Sequence, residues 1–204
     1  MTRGIFAWMF AFALISSPVF AAEGPQHDHE ASMAEWLKLA APGEGHKALE
    51  PLVGTWETVT KMWMGGPDAP PTESRGTAVT SWILGGRFLR EVVKGQMMGQ
   101  PFEGESLLGY NNMRKVYEGS WIDNMATHIA PSKGSMDPSG KVLTLYGEMD
   151  EPTMGVYGRM VRMTTVIESA DKHVFTMYDL HAGEAYKAFE TTYTRKKGTG
   201  ATGR

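Results

Sequence analysis

Leu52-Val53-Gly54-Thr55-Trp56 opens the first of ten short stretches, running to Arg195, in which apolar and polar residues alternate. A period of two is the mark of strands that bury one face and wet the other. The stretches span 54–64, 73–83, 88–96, 102–110, 116–123, 127–135, 142–149, 156–168, 173–180 and 186–195. Leu84-Gly85-Gly86-Arg87, Asn111-Asn112 and Asp137-Pro138-Ser139-Gly140 separate neighbouring stretches with tight-turn residues. Long strands joined by short turns predict an all-β, up-and-down antiparallel sheet, and closing it into a single barrel removes its edges.

Charges indicate which face is wet. Glu57 and Lys61 leave Trp56, Thr58, Thr60 and Met62 pointing inward. Glu103 and Glu105 leave Phe102, Ser106, Leu108 and Tyr110 inside, and Glu118 leaves Tyr117, Trp121 and Asp123 inside. Strands seven and eight are apolar or mixed on both faces, so alternation assigns neither.

The chain of 204 residues begins with a leader-like segment. Arg3 precedes an apolar run from Ile5 to Ile15, Pro18 ends it, and Val19-Phe20-Ala21 fits cleavage after Ala21. The run is short for a membrane span, where ~20 apolar residues are expected. The expected organisation is a signal peptide at 1–21, a disordered tail at 22–31 and a helical segment at 32–51. The barrel domain follows at 52–196, with a tail at 197–204. Ser32 and Glu35 form a capping box ahead of Trp36, Leu37 and Leu39, and Pro51 is expected to stop a second helical turn. The amino-terminal helix is expected to cover one end of the barrel. Export places the mature protein in the periplasm or outside the cell, without a stable membrane anchor.

Twenty basic against 23 acidic side chains, with no basic cluster beyond Arg195-Lys196-Lys197, give no reason to expect nucleic acid as a partner. The absence of cysteine excludes disulfides, thiolate zinc sites and thiol catalysis. Oligomeric state is not legible.

The Gly54-Thr55-Trp56 opening resembles that of the calycin superfamily, which includes lipocalins and fatty-acid-binding proteins. A longer set is more specific: Gly45-His46-Lys47, Leu49 through Trp56, Gly109-Tyr110-Asn111, Trp121-Ile122-Asp123-Asn124 and Tyr193-Thr194-Arg195. Together these resemble a mostly bacterial family filed as domain of unknown function 1579, over about 43–196. The resemblance implies a lipocalin-like barrel and no settled activity.

Gly54, Trp56 and Arg195 are read as the structural base of the barrel. Strand ten must pair with strand one, which brings Arg195 over the Trp56 indole as a cation–π seal. A tentative ligand-facing set comprises Asp123, Trp121, Tyr110, Tyr193 and Arg195. An inward carboxylate at Asp123 must be paired, hydrogen-bonded or protonated, whether it faces a ligand or ties down the turn at Asn124. Fatty-acid-binding proteins hold a ligand carboxylate with Arg-x-Tyr on the last strand; here Tyr193 and Arg195 reverse that order. His27 and His29 share a polar stretch, while His128 and His181 lie near strand ends, and none marks a metal site or the axial ligand of a haem carrier. No cofactor is implied. No catalytic motif is present, and an enzyme reading would use Glu91 with Asp123 as an acid–base pair across a cavity. Twelve of 15 methionines lie from Met62 onward, and flexible thioethers suit irregular apolar ligands. The expected function is binding or carrying one small apolar or amphipathic ligand. The alternatives are a solid-core envelope scaffold or stress-response protein, and an enzyme. Amino-terminal sequencing of exported material is expected to begin at Ala22; an intact leader held in the membrane would overturn this reading.

Overall fold

The computed structural model describes residues 29–66, 68–151 and 155–197. The expected signal peptide, most of the expected amino-terminal tail and the chain from residue 198 lie outside the described residues. Ten strands follow two short helices and a 3-10 turn. They are β1 (Gly54–Met62), β2 (Thr72–Ile83), β3 (Phe88–Met97), β4 (Gln100–Asn111), β5 (Val116–Asp123), β6 (Ala130–Met136), β7 (Val142–Glu151), β8 (Val156–Ser169), β9 (Lys172–Asp179) and β10 (Lys187–Arg195). Each pairs antiparallel with the next, and β10 returns to β1, so the sheet closes without an edge.

Closure is set at the β1–β10 seam, where Trp56 lies directly opposite Arg195. The inward faces read from the charges hold on β1, β4 and β5. The registers also settle the two ambiguous strands. On β7 the inward row is Leu143, Leu145, Gly147 and Met149, and on β8 it continues through Val161, Met163, Thr165 and Ile167. Their outer faces carry Tyr146, Met160 and Val166, exposed apolar residues that hid the alternation.

The inward rows of β2 to β7 include Gly76, Gly95, Gly104, Gly119, Gly134 and Gly147. At Gly134 a Cβ would stand 1.9 Å from the Thr144 carbonyl oxygen, so the close approach of β6 to β7 requires a residue without one.

The chain before β1 forms α1 (His29–Ala40), α2 (Glu44–Lys47) and the 3-10 turn Glu50–Leu52. Three expectations need correction here. The helix begins at His29, so Ser32 lies inside it rather than capping it, and residues 29–31 are helical rather than tail. Serine costs little within a helix, and surrounding alanines favour extension. Pro51 does not stop a turn but starts one, in a first-turn position where its missing N–H is no loss. Finally, α1 does not cover the barrel end. Asn112 Nδ2 donates to the Leu39 and Ala41 carbonyls, and Arg87 Nε to that of Ala40, which fixes its carboxyl end. Met33, Trp36 and Leu37 stay exposed.

The end is closed instead by α2 and the 3-10 turn. Leu49 and Leu52 enter a cluster with Leu89, Tyr117, Leu143 and Ile167. Gly45 lies so close to the Tyr110 ring that a Cβ would sit 2.3 Å from it, and its carbonyl accepts the Tyr117 hydroxyl at 3.0 Å. His46 Nδ1 accepts the Gly43 N–H, and burial with the nearby Arg87 charge lowers the imidazole pKa.

Arg195 completes the base. Its guanidinium carbon sits 4.1 Å from the Trp56 ring centre, and its nitrogens donate to the carbonyls of Val53, Pro51 and Ala170. Asp171 supplies a carboxylate at 3.3 Å. Gly54 makes this possible: its φ is +150°, and a Cβ there would lie 2.1 Å from an Arg195 nitrogen. Arg195→Met keeps the stem and removes the fork, leaving the part-buried carbonyls of Val53 and Pro51 without this donor. It is expected to lower stability by about 2–4 kcal/mol in urea unfolding. A change below 0.5 kcal/mol would remove Arg195 from the seal.

Candidate functional site

A column of side chains runs from the sealed base toward the barrel interior. Arg195 covers the outer face of the seal and Trp56, with no exposed surface, lies beneath it. The indole N–H donates to the Leu52 carbonyl at 3.1 Å. His173 on β9 meets Trp56 edge-on at 4.5 Å and stacks on Tyr193 at 4.2 Å with an 18° interplanar angle. Tyr193 then donates its hydroxyl to Glu91 Oε1 at 3.3 Å, and Thr80 donates to Oε2 at 3.0 Å. Each residue sits here because strand parity points it inward. Thr80 faces Glu91 across β2–β3, and His173 faces Tyr193 across β9–β10.

The electrostatics of the column follow from burial. His173 Nδ1 is buried without a protein hydrogen-bond partner, and burial with the Arg195 charge lowers the imidazole pKa to about 4. It is neutral at physiological pH. Burial pushes the Glu91 carboxyl above the ordinary range, and its two hydroxyl donors only partly offset this. Tyr193 is raised well above the usual phenol value by burial and by the Glu91 charge.

Beyond this floor the interior changes character. Trp56, Ala78, Leu89 and Leu143 are buried at the base. Val93, Phe102, Trp121, Met163, Met177 and Phe189 also point inward, nearer the far end, yet all are partly exposed. The wall between them is lined by small side chains, Ser106 and Ser132 among inward glycines. Diameter grows with strand number, and eight strands already leave room for core side chains or one small ligand. Ten strands make a wider barrel, and glycine and serine on its inner wall add little side-chain volume. Among the described residues the base is the packed end, and Met64, Met98, Met125 and Ile129 lie exposed on the loops around the opposite end, the mouth.

The structure divides the candidate residues among three levels. Trp121 and Asp123 stand near the mouth. The Trp121 indole N–H donates to Asp123 Oδ2 at 2.7 Å, and Oδ1 accepts the Met125 N–H at 2.9 Å. Asp123 thus ties its own turn. Trp121 also stacks with Phe102 and covers Gly104 so closely that a Cβ there would sit 2.2 Å from the ring. Tyr193 belongs to the floor. Tyr110 packs in the base against His46 and Tyr117, and Arg195 lies there too, over Trp56. The proposed acid–base partners, Glu91 and Asp123, are held by separate hydrogen-bond sets.

His173 and Thr80 belong to no motif. The signal that finds them is parity: His173 shares a face with Phe175 and Met177, and Thr80 with Ala78. His27 lies outside the described residues, and His128 and His181 are exposed. Near the mouth, Arg159 and Asp179 form an ion pair with both side chains largely buried.

The model of a family described as protein of unknown function (DUF1579) matches residues 41–195, and the chain belongs to that family. The barrel is similar to that in the crystal structure of Rv2717c from M. tuberculosis. That likeness has a TM-score of 0.55 at 16% identity and covers 77% of this chain and 100% of the other. It is a likeness of fold. The S-type phycobiliprotein lyase CPES from Guillardia theta gives a TM-score of 0.49 at 12% identity, covering 76% of this chain and 99% of the other. No curated protein matches the chain.

The neutral, buried His173 makes stability depend on pH. Below an unfolded pKa near 6.5 the unfolded chain takes up a proton that the native imidazole refuses until about pH 4, so stability falls as pH drops across that window. The loss is expected to reach about 3 kcal/mol. Glu91 acts in the opposite direction because its carboxyl is raised, so the comparison is made between wild type and His173→Phe. Urea unfolding at several pH values is expected to show a shallower acid loss in the variant. Equal slopes would place the His173 pKa near its ordinary value.

Proposed function

We propose that this chain, a DUF1579 family member, binds or carries one small apolar or amphipathic molecule in the open half of its barrel, after export from the cell. One observation carries the reading: six large inward apolar side chains beyond the floor, Val93, Phe102, Trp121, Met163, Met177 and Phe189, keep partial exposure, although Trp56, Leu89 and Leu143 at the base are tightly buried. A barrel evolved only as a solid scaffold gains nothing from unfilled interior space, since each void forfeits packing and costs stability. The lining supports the chemistry. Phe102, Trp121, Phe175, Phe189 and the methionines offer apolar and adaptable contact, and the Thr60–Thr191 hydroxyl pair at 2.9 Å and the Glu91 group add a few polar anchors. A mostly apolar concavity with few convergent polar groups is the usual make-up of a small-molecule site. Exposed methionines around the mouth fit the same ligand on its way in, because unbranched thioethers accommodate variable shapes.

Ser106, inward on β4 and level with Glu91 and Trp121, tests the reading directly. A neutral naphthalene fluorophore is expected to bind the mature wild-type protein saturably, one per chain. Ser106→Phe, which fills the cup, should abolish that binding while the melting temperature holds or rises. In a solid barrel the added ring overpacks the core and costs ~1–3 kcal/mol. Absent uptake by the wild type together with a destabilised variant would overturn ligand binding in favour of a scaffold.

A further inference from the structure

Glu91 poses a question that a purely apolar cup does not answer. Its carboxyl lies deep in the barrel on an inward-facing position, and the residue as a whole keeps partial exposure. The groups around it come from four strands. Thr80 on β2 and Tyr193 on β10 each donate one hydroxyl, Ser106 lies opposite on β4, and His173 on β9 stacks behind Tyr193 as a neutral ring. The Arg195 cation stands on the far side of Trp56, engaged with backbone carbonyls and Asp171. The carboxyl therefore has neutral hydroxyl partners and no cation bonded to it. A buried carboxyl in that state is costly, and its cost falls when a positive donor arrives.

Charges at the mouth point the same way. Of the described cations there, Arg75 is held by Glu73, Lys94 by Glu103, Arg159 by Asp179 and Lys187 by Glu190, with Lys61 beside them on β1. The same end carries Asp68, Asp123, Glu148, Asp150 and Glu184 as well. An acidic entrance over low-dielectric walls attracts cations and repels anions.

We propose that the ligand is a cationic amphiphile whose ammonium-type head takes its place beside the Glu91 carboxylate, with its apolar tail toward the aromatic and methionine lining of the mouth. The inference rests on the ligand-binding reading above and adds the class of head group. The head donates hydrogen bonds to Glu91, with Thr80 and Tyr193 holding the carboxylate in place. A fatty acid is the opposite case, because its carboxylate would enter an acidic mouth and meet a second carboxyl at the floor.

The test uses three ligands of equal chain length, decylammonium, decanol and decanoate, competing for the neutral fluorophore on mature protein near about pH 7.5. Decylammonium is expected to displace it at about tenfold lower concentration than either competitor, the ratio that a charge-assisted hydrogen bond supplies. Glu91→Gln should bring decylammonium to within about threefold of decanol. The comparison of the three ligands on the wild type needs no variant. Decanol or decanoate binding the wild type as tightly as the amine, or an amine preference that survives Glu91→Gln, would each overturn the head-group assignment while leaving ligand binding intact. Fluorophore that never binds would instead overturn ligand binding itself, and this inference with it.

Discussion

The structure depends on the contact between the Arg195 guanidinium and the Trp56 indole across the β1–β10 seam. A sheet of ten strands has two edges until its last strand finds its first, and exposed edges invite pairing with other chains. Trp56 and Arg195 lie opposite each other in the register, so forming the contact and closing the barrel are one event. The guanidinium adds what a second apolar residue could not. It reaches the carbonyls of Val53, Pro51 and Ala170, which join the 3-10 turn and the β8–β9 turn to the seam. Gly54 is required by the same contact, since any side chain there would occupy the path of the guanidinium.

The base is the firmly packed end of the barrel. Leu49, Leu52, Leu89, Leu143 and Ile167 supply the tight burial, and the short segment before β1 provides the plug. Toward the mouth the wall is lined by glycine and serine, which allow the strands to bend and approach closely and add little side-chain volume. The column from Arg195 through Trp56, His173 and Tyr193 to Glu91 joins the two regions, so the floor of the cup is also the inner surface of the seal.

Much of this was legible from the residues in order. All ten strands follow from alternation and turn residues, with bounds shifted by a few positions. The first ends at Met62, beside the irregularity of β10 between Lys187 and Phe189, and the sixth starts at Ala130 after an exposed loop. The faces of β7 and β8 were hidden because apolar residues occupy both sides. Only pairing with β6 and β9 resolved them. The amino-terminal helix shows the same limit of patterning: Met33, Trp36 and Leu37 have the spacing of a buried stripe, yet they are exposed while the carboxyl end of the helix is docked.

The sequence by itself determined the strand count, the all-β class, the seam and the identity of its seal, because these rest on local periodicity and on one glycine, one tryptophan and one arginine. Tertiary structure alone decided the floor. Thr80, Glu91, His173 and Tyr193 lie on four strands that are distant along the chain, and no spacing relates them. Their meeting depends on the register of strand pairs all around the barrel, where a slip of one residue would turn each of them to the outside.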